Sequence, residues 1–92
     1  MDQTKSGLKR VQRVQIGARM EKSLVKVLRG LADYLDLSLG DLLEGITLHA
    51  MEGKAPFSNE TLGHIKRLKT VHGMTLTAKD SHRLVEVDRE QR

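Results

Sequence analysis

Arg13-Val14-Gln15-Ile16-Gly17-Ala18-Arg19-Met20 alternates polar and apolar residues without a break, in a chain whose other periodic stretches repeat at helical spacing. At a two-residue period Val14, Ile16, Ala18 and Met20 share one face, and Arg13, Gln15, Gly17 and Arg19 share the other. The pattern predicts a β-strand. A single strand cannot satisfy its own backbone N–H and C=O groups, and no second alternation of comparable strength follows in the sequence. The simplest partner is the same segment of a second copy, paired antiparallel about a two-fold axis into a two-stranded ribbon buried on one face. The other face would carry Arg and Gln, side chains suited to the base edges of a major groove.

Outward from this stretch, charge follows a similar logic. The 92 residues hold 16 Lys and Arg against 12 Asp and Glu, a net +4 with a pI near 9.7, a balance compatible with a nucleic-acid partner. By segment the net charge is +4 over residues 1–20, −3 over 21–53, +3 over 54–75 and zero over 76–92. Positive charge therefore gathers on the strand and the arm that precedes it, and again on the segment 54–75. Residues 1–12 form a basic arm with Lys5, Lys9 and Arg10, which serves either as a phosphate-contacting element or as a solubilising tail. A chain of this length has room for one small domain and a modest appendage, and a monomeric core of that size is marginal. The absence of cysteine excludes disulfide scaffolds and thiolate chemistry. No apolar run approaches the roughly 18 residues of a membrane span, so a soluble, cytoplasmic protein with no membrane contact is expected. Aromatic residues are restricted to Tyr34 and Phe57, too few for the stacking platforms of single-strand binders. Double-stranded DNA is the favoured nucleic acid.

After the strand, Leu24, Leu28, Leu31 and Leu35, flanked by Val25 and Ala32, predict an amphipathic helix from Glu21 to about Leu35. Lys22, Lys26, Arg29 and Asp33 lie on its outer side. Asp36 and Leu37 make a short turn. Ser38-Leu39-Gly40-Asp41 fits a capping box that opens a second helix, Leu39 to about Glu52, with Leu42, Leu43, Ile46 and Ala50 inward and Gly53 as its stop. Within it, Gly45 marks either a close helix approach near a dimer axis or a tolerated glycine.

Strand, helix, short turn and helix over residues 13–53 resemble the ribbon-helix-helix DNA-binding family of Arc- and MetJ-type repressors. The resemblance rests on Met20-Glu21-Lys22-Ser23-Leu24 at the strand-to-helix joint, on Tyr34-Leu35-Asp36-Leu37-Ser38 at the inter-helix turn, and on the outward triad Gln15, Gly17 and Arg19. It implies a mainly α fold with one β-strand, an intertwined homodimer whose intermolecular two-stranded antiparallel ribbon enters the major groove. Two positions depart from the family pattern. Asp36 stands where the family often has Gly, and can still adopt the left-handed conformation. Gly17 has no side chain to read a base, so readout rests on Gln15 and Arg19, or Gly17 lets the ribbon sit deeper. Arg19 can donate to guanine O6 and N7, Gln15 can pair with adenine N6 and N7, and Arg13 is a further base-contact candidate. Lys9 and Arg10, with the free amides of Ser38, Leu39 and Gly40 at a helix start, are the candidate phosphate contacts. Val14, Ile16, Ala18, Met20, Leu24, Leu28, Leu31, Leu35, Leu42, Leu43, Ile46 and Ala50 are the expected dimer core.

Residues 54–92 read as a C-terminal helical extension. Ser58 caps a third helix running to about His72, with Phe57 placed to staple onto Leu62, an apolar row of Leu62, Ile65 and Leu68, and Gly73 as its end. Thr77-Ala78-Lys79-Asp80 suggests another capping box, opening a short fourth helix with Leu84 and Val85 before a charged tail from about Glu86. The extension either pads the dimer core or contacts a protein partner. His49, His64, His72 and His82 lack the spacing of a metal site, and no nucleophile elbow, phosphate loop or paired carboxylates suggest an enzyme. No cofactor is expected. The expected function is a sequence-specific transcriptional regulator, a repressor, working as a homodimer with room for higher-order assembly on DNA. The alternatives are an antitoxin whose extension neutralises a toxin and a protein-interaction scaffold that does not bind DNA.

Overall fold

The computed structural model describes residues 7–87, which fold into three α-helices and one 3-10 turn. The start of the basic arm, Lys5 included, and the end of the charged tail lie outside the described residues. Helix α1 spans Lys22–Leu35 and α2 spans Leu39–Met51. Helix α3 spans Asn59–Val71, and the 3-10 turn covers Ala78–Asp80.

The expected β-strand is not there. Residues 8–20 carry no regular secondary structure, and the described residues contain no strand at all, so the fold is all-α and the strand-bearing ribbon-helix-helix expectation is corrected. Alternation marks which side chains share a side of an extended segment. It supplies no hydrogen-bonding partner, and strand backbone is regular only when a neighbouring strand takes its N–H and C=O groups. Val14 and Ile16, expected inside, are 83% and 81% exposed.

Helix boundaries follow local chemistry. The Glu21 carboxylate caps α1, accepting from the amides of Ser23 at 3.0 Å and Leu24 at 2.8 Å. The helix ends in Asp36, which takes the left-handed conformation at φ 59° and ψ 43°, while the Leu37 amide reaches back to the Ala32 carbonyl at 2.9 Å. Asp36 thus performs the turn that a glycine would make at lower cost. The Ser38 hydroxyl accepts from the Asp41 amide at 3.1 Å, one half of the expected box; the Asp41 carboxylate faces Arg13 instead. Ser58 caps α3 in the same way through the Thr61 amide at 3.2 Å. Gly53 and Gly73, at φ 71° and 65°, end α2 and α3 as their positions foretold. The box at Thr77 also forms, its amide donating to Asp80 at 2.8 Å. It opens a single 3-10 turn rather than the expected fourth helix, and Leu84 and Val85 stay exposed.

The core lies where α1 meets both other helices. Leu28, Leu31, Ala32 and Leu42 are buried together, with Leu24, Leu35, Leu39, Leu43, Ile46, Phe57, Ile65 and Leu68 packed around them. Helix α3 runs antiparallel to α1, since Gly30 sits against Leu68 and Tyr34 against His64. A Cβ on Gly30 would come within 2.9 Å of Leu68 Cδ2, whereas one on Gly45 would meet nothing within 4 Å. The close helix approach is therefore at Gly30, not at the glycine the sequence singled out. One turn along, the Tyr34 and His64 rings stack at 3.7 Å with an interplanar angle of 12°. No helix among the described residues is long and apolar enough to cross a membrane.

Candidate nucleic-acid interface

The residues assigned to DNA sit mainly on the irregular segment before α1. Lys9, Arg10, Arg13, Gln15, Gly17 and Arg19 are all exposed, and nothing lies within 4 Å of a Cβ built on Gly17. Exposure is what a contact surface needs. The segment nevertheless makes contacts, because two of its arginines meet carboxylates that are distant in sequence.

Arg13 forms a two-pronged pair with Glu44, Nε to Oε2 at 2.8 Å and Nη2 to Oε1 at 2.9 Å, and lies 3.5 Å from Asp41. Its hydrogen bond and charge hold the Glu44 carboxyl below the ordinary glutamate range and push the guanidinium further up. This pair places Arg13 against the first turns of α2. The structure thereby brings one base-contact candidate beside the helix start formed by Ser38, Leu39 and Gly40. Helix polarity draws an anion to amides at such a start. Asp41 and Glu44 oppose that pull, and Arg13 offsets them.

Arg19 is held differently. Its guanidinium meets both oxygens of Glu86, with Nε to Oε1 at 3.1 Å and Nη2 on Oε2. The bond and charge lower the Glu86 carboxyl and raise the arginine. Fork-to-fork pairing of this kind resembles the two-point contact that an arginine makes with guanine or with a phosphate.

The expected core residues separate by element. Leu28, Leu31 and Leu42 are buried, and Leu24, Leu35, Leu43 and Ile46 are half-buried. Val14, Ile16, Ala18, Met20 and Ala50 are exposed in the single chain. Met51 on α2 adds to this apolar surface at 79% exposure. An open groove of about 220 Å³ runs between α2 and the Pro56–Thr61 segment, lined by Leu37, Leu42, Ile46, Pro56 and Phe57. Its ionisable side chains are engaged: Asp41 faces Arg13, and His49 Nδ1–H donates to the Gly45 carbonyl at 2.7 Å. No cluster of three or more metal-ligating side chains occurs among the described residues.

Sequence reasoning missed Glu44, Asp41 and Glu86 as partners of the arginines. Their positions, 31, 28 and 67 residues from the arginines they hold, carry no periodic signal. Compared with protein-family models, curated proteins and solved structures, the chain matches none.

Proposed function

We propose that this protein is a double-stranded DNA-binding transcriptional regulator, a repressor acting in the cytoplasm as a homodimer, without catalysis or a cofactor. The reading is carried by one observation: Lys9, Arg10, Arg13, Gln15 and Arg19 are all exposed on one irregular segment before α1. In a groove, Arg19 donates to guanine O6 and N7 and Gln15 pairs with adenine N6 and N7, while Lys9 and Arg10 neutralise phosphates. The amides at the start of α2 take a further phosphate beside Arg13. A second copy covers the apolar side chains that one chain leaves in water, Val14, Ile16, Leu48 and Met51 among them. The caps of α3 and its seat on α1 favour padding of the core over an extension that orders on a toxin.

The test is selection from random DNA duplexes followed by salt-dependent titration. Arg19→Ala should weaken binding to the enriched sequence by about ten- to a hundred-fold and leave non-specific binding nearly intact. Lys9→Ala combined with Arg10→Ala should weaken all sequences alike and flatten the salt slope. If Arg19→Ala matches the wild type on the enriched duplex, direct readout by this segment is wrong. If nothing is enriched and no salt-dependent binding occurs, the scaffold reading takes its place.

A further inference from the structure

The two arginine pairs differ in what stands behind the carboxylate. Glu44 belongs to α2, so its backbone is fixed by a regular helix, although the Arg13 pair itself lies on the surface. Glu86 lies past the 3-10 turn, in a segment where residues 84–87 are all exposed. Beyond the Arg83 amide, which donates to the Asp80 carbonyl at 3.0 Å, this segment forms no backbone hydrogen bond to the other described residues. Yet its carboxylate takes Nε and Nη2, one of the two-donor edges with which Arg19 could grip a base.

We propose that the segment around Glu86 is an intramolecular competitor for the DNA-contacting arm: the Glu86 carboxylate holds the Nε and Nη2 edge of the Arg19 guanidinium, and DNA competes with it for that arginine. The inference rests on the DNA-binding reading above and adds regulation to it. The chemistry is a substitution of one acceptor pair for another, since two carboxylate oxygens present the same two-point target as guanine O6 and N7. An exposed ion pair is weak in water, so displacement is easy and the segment tunes affinity instead of blocking it. The backbone of residues 84–87 leaves with little resistance, because few bonds hold it. Arg13 is not released in this step and keeps offsetting Asp41 and Glu44 at the start of α2.

The experiment compares Glu86→Gln with Glu52→Gln, a charge-matched change at a site beside Lys54, each in the wild-type and Arg19→Ala backgrounds. Binding is read by fluorescence anisotropy on the duplex that the wild type enriches from a random pool. Glu86→Gln should tighten binding about 2- to 5-fold beyond Glu52→Gln, consistent with the modest strength of exposed pairs. In the Arg19→Ala background the two glutamine variants should be equal. Without DNA, the Arg19 Nε–Hε resonance should shift on Glu86→Gln and stay in place on Glu52→Gln. Equal affinities of the two variants in the wild-type background, with Arg19 still required for binding, would overturn the competitor alone. Absence of DNA binding by the wild type would overturn the DNA reading, and the competitor with it.

Discussion

Leu31 is 2% exposed, the most completely buried large side chain among the described residues, at the point where α1 meets both neighbouring helices. Replacing it with alanine tests whether this small core holds the fold. The substitution removes roughly three carbon centres, about 2.4 kcal/mol of transfer free energy at about 0.8 kcal/mol each. Collapse around the gap is limited because Leu28, Ala32 and Leu42 are anchored on helices that contact one another, so a cavity penalty brings the total to about 3–4 kcal/mol. A domain of this size is stable by about 5–10 kcal/mol. The variant should therefore lose a large share of its stability, and its Tm should fall by about 12–30 °C. Far-UV circular dichroism melts and urea titrations check this at one fixed concentration, since assembly would otherwise shift the midpoint. Val71→Ala, at a 74% exposed position on α3, is the comparison and should stay within about 0.5 kcal/mol of wild type. A Leu31→Ala midpoint within about 4 °C of wild type, with the same urea dependence, would refute the three-helix core.

Gly30→Val should destabilise by about 1–3 kcal/mol, because the added carbons enter the space of Leu68. Gly45→Ala should instead stabilise by about 0.5–1 kcal/mol, and a loss in its place would put a second chain against that face. Glu21 is held below the ordinary glutamate range by the Ser23 hydroxyl and then by the Ser23 and Leu24 amides. Its folded pKa lies below its unfolded one, so its contribution is present above the ordinary range and disappears as pH falls through the lowered value. Glu21→Gln should accordingly lower neutral-pH stability by about 0.5–1 kcal/mol and flatten the acid limb of a urea-stability curve; an unchanged limb counts against the cap. Truncation after Gly53 removes Phe57, Ile65 and Leu68 from around the core and should lower the Tm more than Gly30→Val does. In the intact free protein, residues 59–71 should exchange amide protons slowly, and fast exchange there would restore the antitoxin alternative.

What the residues determine alone is what neighbours a few positions apart can settle. The row Leu24, Leu28, Leu31 and Leu35 defines one face of α1 at helical spacing. Ser38, Ser58 and Thr77 start their turns because each hydroxyl can reach an amide two or three residues on. Gly53 and Gly73 stop helices because glycine enters the left-handed region without strain, and Asp36 shows that a short polar side chain can take that place. The positive charge of Lys9, Arg10, Arg13 and Arg19 was legible for the same reason, since charge is a property of each residue. Only the tertiary structure decided the rest. The alternation at residues 13–20 fixes which side chains share a side, but a strand exists only through hydrogen bonds to backbone far away in the sequence or in another chain, and the described chain offers none. Gly30 and Gly45 are equivalent glycines inside helices until α3 lies down on α1 and brings Leu68 against one of them. Arg13 and Arg19 are equivalent arginines until packing sets α2 beside the first and leaves the Glu86 segment beside the second. Contacts across 28, 31 or 67 residues depend on how the helices meet, and no periodicity within any one segment encodes that meeting.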